Sequence, residues 1–338
     1  MRHCWRPLPG GDRARIGAGT AGAVLRPRAL RKPLVTDLAS PAAALARRRL
    51  WLGIGCGLLT SLIWGVQSVV SRQSVADGLS AADVTILRFI VASLLLLPLA
   101  RRRMRPFPVG ALGWRRALIL TALAGAPYAL VLVGGATFAP ALHASVIVPG
   151  LIPVMTVALA FLVLGERPGP LRLLGLALVL AGIGAFGWQA FGESGAGANA
   201  WIGDLFFVTN AVMWSVFGLL ALRWRTDAID VTIATCLLSL LILPVFAATM
   251  PIRLGEVAWS AIALQALYQG ALVGVGALFL YTKSVELLGA GRATLFLPLN
   301  PVVTALAAIL LLGEYPSPIE VAGMVLVIAG MSVALRAR

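Results

Sequence analysis

Charge is what this sequence has least of. Of 338 residues only 12% are Asp, Glu, Lys or Arg, against 59% hydrophobic, and mean hydropathy is +0.93. Soluble domains carry roughly 25% charged residues, so a chain at half that level lacks the polar surface to stay in water. Acidic residues are scarcer still, 13 against 28 basic ones. Histidine occurs only as His3 and His143, which is too few for a histidine cluster of the kind a membrane enzyme would use. The three cysteines, Cys4, Cys56 and Cys236, are scattered and give neither a disulfide framework nor metal spacing. No Walker phosphate loop is present, so ATP is not the direct energy source, and no cofactor or metal is expected.

What remains is apolar and long. After residue 50 the chain breaks only at charge and turn clusters, giving ten apolar stretches. They lie near 50–71, 82–100, 116–137, 141–164, 171–190, 201–222, 231–249, 260–284, 293–313 and 319–335. About 20 apolar residues cross the hydrocarbon core as a helix. The expected fold is therefore all-α, polytopic and ten-spanning. Residues 1–48 differ: they are rich in Arg, Gly, Ala and Pro without periodicity, and read as a basic, disordered cytoplasmic tail.

The net charge of +15 raises nucleic acid as a partner, but the location of the charge argues against it. Basic residues cluster in the tail and then flank the spans, in Arg101–Arg103, Arg105, Arg115, Arg116, Arg167, Arg172, Arg223, Arg225, Arg292, Arg336 and Arg338. With both termini cytoplasmic, all of these fall inside, leaving only Arg72 and Arg253 in outer connections. That is the positive-inside pattern. The expected location is the inner cell membrane, with the lipid bilayer as partner.

The sequence also repeats itself. Trp51, Gly53 and Trp64 recur 150 residues later as Trp201, Gly203 and Trp214, and "DVTI" occurs at 83–86 and 230–233. "LVLGERPGP" at 162–170 returns as "LLLGEYPSP" at 310–318, in register with Pro153 and Pro301, Thr156 and Thr304. Gly175 and Gly182 match Gly323 and Gly330. The halves, 49–192 and 199–338, each hold five spans. An odd number inverts the second copy in the membrane, which places a site near the midplane where the halves meet. In these features the chain resembles the drug/metabolite transporter superfamily, in its ten-helix EamA-type branch. The carriers are Trp64 and Trp214, Arg88-Phe89 at the start of span two, and Pro153 with Gly165-Glu166 repeated as Pro301 with Gly313-Glu314. The resemblance implies export of a small solute, often an amino acid or related metabolite, by alternating access.

Candidate site residues follow from polarity inside spans, which faces the bundle interior. Pro149, Pro153, Pro298 and Pro301 each remove a backbone donor, and read as hinges or cavity-lining kinks, or as ordinary packed kinks. Asn300 offers donors and acceptors to a zwitterion, or a helix–helix hydrogen bond. Tyr128, Tyr268, Gln269 and Tyr281, on the corresponding spans three and eight, suit a solute pocket or an interfacial anchor. Arg88 attracts an anionic group, snorkels, or pairs with Asp83. His143, at the outer start of span four, is a proton relay or a structural histidine. Glu166 and Glu314 read as span-end markers, and Lys283 with Glu286 as an interfacial pair. No Asp or Glu stands at mid-span to carry a proton. A secondary transporter for a small-molecule solute is the expected function. The alternative is a membrane enzyme acting on a lipid-linked substrate, and the sequence leaves monomer and homodimer both open.

Overall fold

The computed structural model describes residues 41–164, 168–192 and 199–336, and Leu45–Arg338 forms one compact unit. The tail up to residue 40, and Glu166 with Gly165, lie outside the described residues. Among the described residues there is no strand, and ten helices are long and apolar enough to cross a membrane. They are α1 (Arg47–Ala76), α2 (Ala81–Arg103), α3 (Trp114–Gly135), α4 (Ala141–Leu159), α5 (Pro170–Trp188), α6 (Ala200–Arg223), α7 (Ala228–Thr249), α8 (Trp259–Leu288), α9 (Leu295–Leu312) and α10 (Pro318–Leu335). Each overlaps one of the ten apolar stretches expected from the sequence.

Local chemistry sets the helix ends. α2 starts with a capping box, in which the Asp83 amide donates to Ser80 Oγ at 3.1 Å and the Ser80 amide to Asp83 Oδ2 at 2.9 Å. It ends on Arg101, Arg102 and Arg103, which favour the negative end of the helix dipole. Arg103 then reaches Asp227 at 2.9 Å, and Asp230, at the start of α7. α9 ends because Gly313 takes the left-handed conformation, φ 66°, that a residue with Cβ adopts only at a cost. Glu314, next in line, binds Arg72 Nε of α1 at 3.1 Å and accepts the Ala141 amide of α4 at 3.2 Å. The Gly-Glu motif is thus a helix stop followed by a carboxylate tie, at least in its second copy.

Successive spans run antiparallel, so connections alternate between two sides. One side carries Arg101–Arg103, Arg115, Arg116, Arg172, Arg223, Arg225 and Arg292. The other carries Asp77, Asp83, Asp204, Glu256, Glu314 and Glu320, against only Arg72 and Arg253. These are called the basic side and the acidic side below. The outer wall is apolar: Leu310 is 81% exposed and Leu162 76%, as helix faces lining hydrocarbon should be.

The tightest seam joins α5 to α10, one helix from each repeat. A Cβ on Gly182 would lie 2.5 Å from the Gly323 carbonyl oxygen, and one on Gly330 2.6 Å from that of Gly175. Because the helices are antiparallel and the glycines are repeat mates, the two contacts are related by the pseudo-twofold of the duplication. Small residues here let backbones approach where lipid offers no hydrophobic drive for association.

The proline pairs are less alike than the repeat suggests. Pro149 and Pro153 sit inside one continuous α-helix, Ala141–Leu164. Pro298 instead lies in a 3₁₀ turn, Thr294–Leu299, and Pro301 in the first turn of the α-helix Asn300–Leu312, where its missing N–H costs nothing. The Leu297 carbonyl, four residues before Pro301 and so without an amide from it, accepts the Asn300 amide, because the 3₁₀ turn bonds residues three apart.

Gly182→Ala should lower the thermal unfolding midpoint in detergent, corresponding to about 1–3 kcal/mol of overpacking. Gly184→Ala, whose Cβ would meet nothing within 4 Å, should leave the midpoint unchanged.

Candidate functional site

Three spans are interrupted at mid-length: α7 between Ser239 and Leu243, and the repeat mates α3 and α8. α3 breaks at Gly125, into Trp114–Ala124 and Ala126–Gly135. α8 unwinds into a π-helical stretch at Ala266–Gly276, a rare conformation that is frequent at functional positions. Irregular backbone at membrane depth survives only against protein or a water-lined cavity, so the breaks in α3 and α8 should face inward. A neighbouring side chain repairs the first, and a side-chain hydrogen bond braces the second. Ser239 Oγ of α7 accepts the Ala126 amide at 3.0 Å, and the α8 amide Gln269 Nε2 donates to Ser71 Oγ of α1 at 2.9 Å.

Beside these breaks stand two aromatic pairs. Trp64 of α1 meets Tyr281 of α8 with ring centroids 5.5 Å apart and planes at 43°. Tyr128 of α3 meets Trp214 of α6 at 5.4 Å and 46°. Each pair joins the first helix of one repeat to the third helix of the other, and Trp64 and Trp214 are repeat mates. The duplication therefore writes the same cross-repeat clasp twice. Tyr128 stands seven residues from the acidic-side end of α3, and Tyr281 seven from the basic-side end of α8. Their tryptophans are offset the other way, Trp214 nine residues from the basic-side end of α6 and Trp64 twelve from the acidic-side end of α1, so both clasps lie near mid-depth and are related by the inverted repeat.

The other expected polar residues distribute around this arrangement. Tyr268 donates to the Ile63 carbonyl at 2.9 Å, next to Trp64, and Gln265 Nε2 to that of Val70 at 2.9 Å. Asn300 is 7% exposed, and its backbone carbonyl accepts Thr304 Oγ1, which also reaches the Gly65 carbonyl. Arg88 does not pair with Asp83, whose carboxylate is occupied by Ser80 and the Arg253 amide. It lies instead near Tyr128 and Cys236, over its neighbour Phe89. Buried atoms without a hydrogen-bond partner among the described residues include Arg88 Nη1, Asn210 Oδ1, Gln265 Oε1, Gln269 Oε1 and Asn300 Oδ1. Leaving such groups unpaired is costly, so several donors and acceptors remain available on residues around the breaks. Asn210 was not among the expected residues, although it stands four before Trp214. Its amide donates to the Tyr128 carbonyl at 2.9 Å, fixing the α3 side of the clasp.

His143 lies elsewhere, at the acidic-side start of α4, and both its ring nitrogens are taken. Nδ1 is 2.7 Å from Asp204 Oδ1 of α6, and Nε2 is 2.9 Å from Glu320 Oε1 of α10. Phe186 of α5 packs edge-on against the ring at 5.1 Å. The three residues are 2%, 8% and 7% exposed. Reading the sequence missed both carboxylates. The available signal was an acidic residue within the first turns of an apolar span, where charge is expensive. No group of His, Cys, Asp and Glu among the described residues is arranged to hold a metal ion.

The two halves also match known proteins. The model of the EamA-like transporter family matches residues 51–187 and again 201–336. A Pseudomonas aeruginosa protein, "Uncharacterized protein PA1977", is 31% identical over 286 residues, covering 83% of this chain and 93% of that one. "Uncharacterized transporter YyaM" of Bacillus subtilis is 28% identical over 193 residues, a match spanning 55% of this chain and 61% of that protein. A solved crystal structure shares the fold, with TM-score 0.55 at 22% identity over 85% of this chain and 97% of its own. With both repeats matched and ten spans in place, this multi-pass membrane protein belongs to the EamA-like transporter family.

Proposed function

We propose that the chain is a secondary exporter of amino acids or related small metabolites, working by alternating access between its inverted halves. The pair of cross-repeat clasps carries this reading. Two aromatic pairs related by the inverted repeat, each joining helices that belong to different halves, are contacts that rocking of the halves would open one at a time. Around them, Arg88 offers a cation, and Asn300, Gln269 and Asn210 offer amide oxygens. That set suits a solute with a carboxylate at one end and an ammonium donor at the other. The positive-inside rule supports putting the basic side, and both termini, in the cytoplasm of a cell with this protein in its inner membrane. Small-molecule solute and bilayer are the proposed partners.

Purified protein in liposomes should exchange radiolabelled protein amino acids across the membrane at rates above empty vesicles. Asn300→Ala and Tyr268→Phe should each reduce that flux by tenfold or thereabouts, roughly the loss of one net hydrogen bond to a polar or charged group. Flux at the level of empty vesicles for the whole mixture, or variants indistinguishable from the parent, would remove this substrate assignment.

Aromatic pairs contribute about 0.5–1.5 kcal/mol beyond area burial, so losing one should shift the facing equilibrium by roughly two- to tenfold. Trp64→Ala and Trp214→Ala should shift it in opposite directions. A reporter cysteine in Asn300→Cys, tested with membrane-impermeant thiol reagents from each side, reads the sense of each shift. Equal changes in both variants count against the clasps as gates.

A further inference from the structure

The cluster at the acidic-side ends of α4, α6 and α10 joins the repeats by a different chemistry. His143 belongs to the first repeat, while Asp204 and Glu320 belong to the second. An imidazole between two carboxylate oxygens, at 2.7 and 2.9 Å, makes both contacts only if each carries a hydrogen. A neutral ring supplies one N–H. The cluster as built therefore holds two protons among three groups, on an imidazolium or on an imidazole and one carboxyl. Removing one leaves a nitrogen lone pair facing a carboxylate lone pair, and one arm of the cross-repeat link must let go.

The surroundings do not supply a substitute donor. Glu320 Oε2 is engaged by the Ser317 amide at 2.6 Å, whereas Asp204 Oδ2 is buried without a hydrogen-bond partner. Phe186 faces the ring from α5. The charged groups next nearest along this end of α4 are Glu314, which accepts the Ala141 amide, and Arg72 of α1, which Glu314 occupies. Arg172 of α5 is at the opposite side. Charge within the cluster is thus balanced by protons and by nothing else among the described residues.

We propose that His143, Asp204 and Glu320 form the proton-binding site that couples transport to a proton gradient. Protonated, the cluster ties α4 to α6 and α10 and holds the acidic side closed; deprotonated, it releases one arm and lets that side open. If the acidic side faces outward, a proton entering from outside closes it and turns the carrier to face the cytoplasm; the proton then leaves inward, and the unprotonated carrier, loaded with solute, reopens outward, the sense an exporter requires. The coupling rests on the transporter reading above, and the site itself does not.

The two are tested separately. With ¹⁵N-histidine labelling in nanodiscs, and His3→Gln to remove the second signal, the His143 ring nitrogens report the site without any solute. One ring nitrogen should lose its proton, or the carboxyl donor facing it, as pH is raised from about 6 to about 11; ring-nitrogen signals unchanged over that range would overturn the site. In liposomes loaded with the radiolabelled amino-acid mixture, an imposed pH gradient should drive accumulation severalfold beyond exchange. Asp204→Asn presents an amide N–H to Nδ1 while Nε2–H still donates to Glu320, a permanent copy of the protonated carboxyl. With the acidic side held closed it should lose solute exchange and leave the Asn300→Cys reporter reactive from the basic side alone at any pH; Glu320→Gln is read in the same way should that variant fail to fold. Parent exchange without any gradient response, or a full response in both variants, would overturn the coupling. Absence of any exchange by the parent sinks the solute assignment instead, and the nitrogen signals still decide the site.

Discussion

Hydrocarbon offers a backbone nothing to bond to, and that constraint shapes this molecule more than any other. Ten helices answer most of it internally. Where the helices break or meet, hydroxyls and amides from neighbouring spans bond the backbone. Ser61 reaches the Phe296 carbonyl, Tyr268 that of Ile63, Ser284 that of Gly53, Ser93 that of Cys236, Asn210 that of Tyr128 and Ser215 that of Ile152. Every one of these bonds crosses from one repeat to the other. The halves are consequently interleaved rather than abutted. In membranes such bonds average only about 0.6 kcal/mol each, so the seam is specific in register while remaining cheap to rearrange one bond at a time.

The fold was legible because membrane folding reads one variable at a time. Span number follows from apolar length, and inversion follows from an odd count of spans per repeat, so neither needs knowledge of packing. The glycines at 175, 182, 323 and 330 were visible as repeat mates. Their contact across α5 and α10 became evident only in three dimensions, where a Cβ has nowhere to go. The breaks in α3 and α8 were not legible. Gly125 looks like any small residue in a membrane helix, and the π stretch at 266–276 has no composition that distinguishes it from α-helix. Pro149 and Pro153, by contrast, lie inside a helix that continues past both.

The aromatic clasps show what a repeat can and cannot disclose. Trp64 and Trp214 were matched at once by their spacing of 150, but their partners Tyr281 and Tyr128 are not at the same offset. The unwound segment of α8 alters the count between them. Residue-for-residue alignment of the halves therefore loses the pairing that the pseudo-twofold restores in space.

The His143 cluster escaped for a deeper reason. At the repeat offsets Asp204 corresponds to Ile54, His143 to Gly291 and Glu320 to Arg172. A search for duplicated features discards all three by construction. Yet a bundle built only of duplicated features, inverted on itself, presents the same chemistry to both sides of the membrane. Such a carrier takes the direction of net flux from the gradients across the membrane alone. What the two halves do not share can set only which side a bound proton closes. In this chain that asymmetry is concentrated in charge: arginines on one side, and on the other a buried imidazole held between two carboxylates, linking the halves where the symmetric bonds would otherwise be equal at both ends.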